Sequence, residues 1–112
     1  MNPPRVPPHD DAAERALLGA LLLDARLPDQ VLPQLGDADF YRPAHRRIAA
    51  AMATLVADGV PVELLGLCDV LRRHGELEAC GGQEYLAMLL DDAVTSANIA
   101  APLRLVQEHA AR

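Results

Sequence analysis

The sequence predicts an all-α domain, a compact bundle of about five to six helices around a central helix at residues 43–58. Three observations carry this expectation. Apolar residues recur at helical spacing, as at Ile48, Met52, Leu55 and Val56, which are i, i+4, i+7 and i+8. No segment alternates with period two for more than a few residues, so no strand is predicted. Glycine and proline break the chain at short intervals, and Asp58-Gly59 and His74-Gly75 read as helix exits. With 51% apolar residues in a chain of 112, one core is enough to hold these pieces together.

Residues 1–9 carry four prolines in eight positions and read as an extended arm. A first helix starts at Asp10 or Asp11; with Asp11 as N-cap, Glu14 falls at N3 as an acidic variant of the capping box. Its buried stripe is Ala13, Leu17, Ala20 and Leu21, widened by Leu18 and Leu22. Gly19 within it costs roughly 1 kcal/mol relative to alanine, which predicts a close helix–helix approach there. Asp24-Ala25-Arg26 turns the chain into a short second helix over about Pro28–Gln34, and Pro33 predicts that it is brief or kinked.

The central helix follows, with Pro43 in its first turn and Asp39 ahead of it, where a carboxylate caps or favours the positive end. A fourth helix runs from about Glu63 to His74 on a Leu64, Leu67, Cys68, Leu71 face, with Arg72, Arg73 and His74 at its negative end. Gly81-Gly82 opens a fifth, Gln83 to Leu90, and Asp91-Asp92 begin a polar connection. The last helix starts near Ser96 or Asn98, with Ile99, Leu103 and Val106 inward and Pro102 predicting a late start or a kink.

Composition removes whole classes of function. All ten basic residues are arginines, so a Walker A phosphate loop, which needs its lysine, is excluded from this chain. A net charge of −6 disfavours autonomous nucleic-acid binding. Cys68 and Cys80 match no zinc spacing, and the four histidines lie on four different elements without an i, i+4 pair. Neither a signal peptide nor a membrane-length apolar run is present in these residues. A non-enzymatic, cytoplasmic domain with reduced thiols and a protein partner is the expectation.

Five local signatures then point to a family. They are Pro7-Pro8 with Glu14, Leu18-Gly19 and Leu23-Asp24; Asp39-Phe40-Tyr41 with His45 and Ile48; Gly59, Pro61-Val62 and Leu64; Leu77, Gly81-Gly82 and Tyr85-Leu86; and Ala97-Asn98-Ile99. In this order they resemble the N-terminal domain of the DnaB-type bacterial replicative DNA helicase. The chain departs from the family at Ala12, Glu63, Gly66 and Pro102, positions that bear on individual helices.

The resemblance implies a collar domain, at residues 10–112, of a hexameric helicase in DNA replication. Its implied partners are other helicase subunits, primase and a helicase loader. The RecA-like motor domain, with its ATP and Mg²⁺, lies outside this chain, and the chain is expected to end inside the family's first hairpin helix and to be a monomer or weak dimer. Two rival readings are a stand-alone adaptor or inhibitor that imitates the collar, and a helix-turn-helix module built on the fourth and fifth helices.

No catalytic, cofactor or metal residue is assigned. Phe40, Tyr41 and His45 are expected as structural anchors, with Tyr41 and His45 packed on each other one turn apart. Tyr85 is the candidate partner contact, because tyrosine is enriched at binding hot spots; its alternative is a half-buried ring with a wet hydroxyl. Arg104 and Glu108, on the outer side of the last helix, complete the candidate contacts.

Overall fold

The structure, a computed structural model, describes residues 8–36, 39–94 and 106. Five α-helices account for most of them: α1 (Pro8–Leu23), α2 (Leu27–Val31), α3 (Pro43–Ala57), α4 (Leu64–Arg73) and α5 (Gly82–Val94). Short 3₁₀ turns, Leu32–Gln34 and Glu78–Cys80, complete the order, and there is no strand among the described residues. Arg104 and Glu108 lie outside the described residues. Of the predicted last helix, Val106 is helical and buried against the core as expected.

The first helix begins at Pro8, so residues 8 and 9 of the predicted arm are helical, and the rest of it, residues 1–7, lies outside the described residues. Proline is barred from a helix interior but not from its first turn, where its missing N–H costs no bond. This earlier start carries Glu14 from a capping position to well inside α1, where it is 3% exposed. In the second segment Pro33 acts as expected: α2 stops at Val31 and the chain tightens into the 3₁₀ turn. Asp39 does not cap α3; its carboxylate accepts the Gly36 N–H at 2.8 Å and closes a turn. The N-cap of α3 is Arg42, without a side-chain cap, and Pro43 follows it.

Both predicted glycine exits are present. Gly59 and Gly75 take φ of +72° and +71°. Val60 N–H then reaches Leu55 C=O at 2.9 Å, and Glu76 N–H reaches Leu71 C=O at 2.8 Å, each closing a Schellman ending. The fifth helix runs four residues past its predicted end, to Val94. Leu86, Leu89 and Ala93 continue its core face, while Asp91 and Asp92 lie on the solvent side and so do not interrupt it.

The central helix touches α1, α2, α4 and the second 3₁₀ turn, while α1 and α5 form the most extensive pairing. Leu17, Leu18, Leu21, Ile48, Met52, Leu67, Leu71, Leu86 and Leu89 have no accessible surface and make one core. Gly19 explains how α1 and α5 come so close. A Cβ there would stand 2.0 Å from the Leu89 carbonyl oxygen and 3.1 Å from the Ala93 Cβ, so only glycine fits.

Candidate functional site

Two polar side chains lie in this apolar core: Glu14 on α1 and His45 on α3, at 3% and 0% exposure. The Glu14 carboxylate meets His45 Nδ1 at 2.6 Å through Oε1. Its other oxygen, Oε2, accepts the Tyr41 backbone N–H at 2.7 Å. On the far side of the ring, His45 Nε2 lies 2.6 Å from the Tyr85 hydroxyl. One continuous hydrogen-bonded chain therefore ties α1, the loop before α3, α3 and α5.

The donors and acceptors fit a consistent assignment. Tyr41 N–H can only donate, which requires an acceptor oxygen at Glu14. Burial raises the Tyr85 phenol above its ordinary range, while the nearby Arg42 and Arg15 charges pull it back less strongly. A phenol kept protonated can donate to Nε2, which leaves Nδ1–H to donate to the carboxylate. Both carboxylate oxygens of Glu14 and both ring nitrogens of His45 then have partners, as a low-dielectric interior demands.

A second contact sits on the same peptide. Arg46 Nε donates to the Phe40 carbonyl at 2.6 Å, while the Tyr41 N–H of that same peptide unit is held by Glu14. The Phe40–Tyr41 peptide is thus clamped at both ends. The side chains on either side of this peptide end in opposite surroundings. Phe40 goes into the core at 1% exposure, and Tyr41 stands out at 55%.

Phe40 and His45 accordingly occupy the buried positions expected of them. Tyr41 does not: the predicted packing of Tyr41 on His45 is absent. The ring neighbours of His45 are Phe40, edge-on with centroids 6.3 Å apart, and Tyr85, stacked at 6.0 Å. Tyr85 is half-buried, and its hydroxyl is hydrogen-bonded to His45.

Glu14 is the residue that sequence reasoning missed. A signal was present: Glu14 shares the stripe of Leu17, Leu18 and Leu21 (i, i+3, i+4, i+7), and His45 shares that of Ile48 and Met52. An acid and an imidazole, each alone on a buried face, are natural partners.

The remaining chemistry is sparse. Cys68 and Cys80 are both free and buried, and burial raises both thiols, less offset by Arg72 and Arg47 respectively. No group of His, Cys, Asp and Glu able to hold a metal exists among the described residues. Asp11 pairs with Arg15 and, at 2.9 Å, with Arg42. Two shallow surface grooves are present, one over Leu35, Phe40, Arg46 and Ala50, the other over Pro28, Val56, Val60 and Pro61.

The described residues form a small helical domain with a buried Glu14–His45–Tyr85 tie at its core. The chain belongs to the DnaB-like helicase N-terminal domain family, whose profile matches residues 6–108. It is 36% identical over 109 residues to the replicative DNA helicase DnaB of Leifsonia xyli subsp. xyli, covering 97% of this chain and 24% of that protein. Against the DnaB of Mycobacterium leprae it is 38% identical over 106 residues, with 95% and 18% covered. Against that of Treponema pallidum it is 38% identical over 108, with 96% and 25% covered. The chain thus spans a quarter or less of the length of these helicases. Among solved structures, it is similar to the N-terminal domain of DnaB helicase from Mycobacterium tuberculosis, with a TM-score of 0.85 and 37% identity, covering 95% of this chain and 76% of that one. No helix of the described residues is long and apolar enough to cross a membrane.

Proposed function

We propose that this domain is a non-catalytic assembly module of a replicative DNA helicase, contributing to the hexamer collar and to the binding of primase. The observation that carries this reading is the match to a helicase N-terminal domain over 95% of the chain. A chain with no lysine, and so without a Walker A loop, is in keeping with it. ATP and Mg²⁺ belong, on this reading, to a motor domain elsewhere in the helicase, and the partners are neighbouring subunits, primase and a loader, in the cytoplasm.

The helix-turn-helix alternative is disfavoured by charge. Helix α5 carries no basic residue at all, and its solvent side bears Glu84, Asp91 and Asp92. A phosphate backbone would be repelled there.

Two measurements test the proposal. The isolated chain should turn over no nucleotide, and ATP hydrolysis in a clean preparation would count against it. Deleting the domain from the helicase that contains it should disrupt the hexamer and abolish stimulation by primase while the motor keeps its ATPase. A hexamer that assembles and responds to primase without the domain refutes the reading.

A further inference from the structure

We infer that Tyr41 and Arg46 form a docking surface for a second copy of this chain, taking the Met88–Asp91 face of its α5. The inference rests on the collar-assembly reading and names the surface that would serve it.

Tyr41 is an exposed aromatic whose backbone is held from inside. Its peptide is gripped by the buried Glu14 on the N–H and by Arg46 on the C=O. A ring mounted on a fixed backbone loses little freedom when a partner covers it, and tyrosine with arginine is a common pairing at the centre of binding interfaces. The Arg46 guanidinium stands exposed beside that peptide, and its one hydrogen bond goes to a neutral carbonyl. Among the described residues it has no carboxylate partner, whereas neighbouring Arg42 and Arg47 are paired with Asp11 and Glu76. The patch therefore offers an aromatic face and an unmatched positive charge.

Its complement occurs on the same chain. The outer side of α5 presents Glu84, Met88 and Asp91 at i, i+4 and i+7, all exposed, with Met88 at 40%. Asp91 sits in the last turn of α5, which carries no basic residue to balance it against the helix dipole. It has no ion-pair or hydrogen-bond partner among the described residues. A methionine side chain packs readily against an aromatic ring, and a carboxylate matches a guanidinium in a forked pair. Among the described residues no hydrogen bond or ion pair joins the two patches within one chain; between two copies each supplies what the other lacks.

Sedimentation equilibrium on the full chain, on Tyr41→Ala, on Asp91→Arg and on an equimolar mixture of the two variants tests this. Both substitutions fall on exposed side chains, and circular dichroism checks that the helices persist. The wild type should self-associate with an affinity that falls as salt rises. Each variant alone should associate at least about tenfold more weakly. The mixture should recover association, because it contains one intact Tyr41 patch and one intact Asp91 patch on different chains. Wild-type association that Tyr41→Ala leaves unchanged, or a mixture no stronger than either variant, overturns the docking surface and leaves the collar reading standing. No self-association up to about millimolar chain also overturns it, and the domain deletion in the helicase then judges the collar reading separately.

Discussion

Replacing Gly19 by alanine adds one methyl group at the closest approach of the two most extensively paired helices. That methyl would lie 2.0 Å from the Leu89 carbonyl oxygen and 2.9 Å from the Leu89 carbonyl carbon. A carbon and a carbonyl oxygen tolerate about 3.3 Å. Both groups belong to helix backbones, so α1 and α5 must separate by roughly an ångström rather than flex a side chain. A gap of about 0.5–1 Å forfeits a quarter to a half of each dispersion contact along the seam. Overpacking of this kind costs up to about 3 kcal/mol, against about 1 kcal/mol gained from the better helix former. The net is a loss of about 2 kcal/mol, or a urea midpoint lower by about 1 M for a domain of this size. Gly66→Ala is the internal control, because a Cβ there meets nothing nearer than 3.8 Å, an ordinary contact. The same substitution should there raise stability by about 0.5–1 kcal/mol. Urea unfolding followed at 222 nm compares the three proteins. A Gly19→Ala domain as stable as wild type, or a Gly66→Ala domain that loses as much as Gly19→Ala, refutes the assigned packing.

Glu14→Ala leaves the Tyr41 N–H and the imidazole without their acceptor in a dry interior, and should cost about 3–5 kcal/mol in chemical denaturation; a loss under about 1 kcal/mol is incompatible with the buried tie. Tyr85→Phe removes one donor and should cost about 1–2 kcal/mol, while Tyr41→Ala should fall within about 0.5 kcal/mol of wild type; the reverse ranking would refute the buried tie at Tyr85. The raised phenol of Tyr85 and thiols of Cys68 and Cys80 set an alkaline limit. Each folded ionisation lies above its unfolded one, so their stabilisation is whole below the unfolded values, about 8.5 for Cys and 10 for Tyr, and is lost as pH rises through the folded ones. Denaturation midpoints measured from pH 8 upward should fall (~pH 8–11 scan), and Tyr85→Phe should flatten the upper part of that fall.

Much of the fold could be read from local chemistry. Gly19 announced a close approach, Pro33 a broken helix, and Asp58-Gly59 and His74-Gly75 their exits, because each depends on neighbours a turn away. Two errors had one origin. Placing the first helix start at Asp10 or Asp11 made Glu14 a capping residue, which hid its inward direction. With Glu14 assigned to the helix end, His45 lacked a partner and the nearest ring, Tyr41, was given to it. The true partners are 31 and 40 residues away in the chain, and no local spacing encodes such pairings. Asp91-Asp92 misled in the opposite way: two acids resemble a break, but a helix whose core face continues through Leu89 and Ala93 carries them on its wet side.

A single amide bond separates the interior of this domain from its outer face, with Phe40 on one side and Tyr41 on the other. Damage to Glu14, a residue no partner can touch, would therefore swing an outward-facing ring. A survey of variants scored by loss of association would name this interior acid among the contacts, and only a parallel record of unfolding would reveal that it acts by aiming another residue.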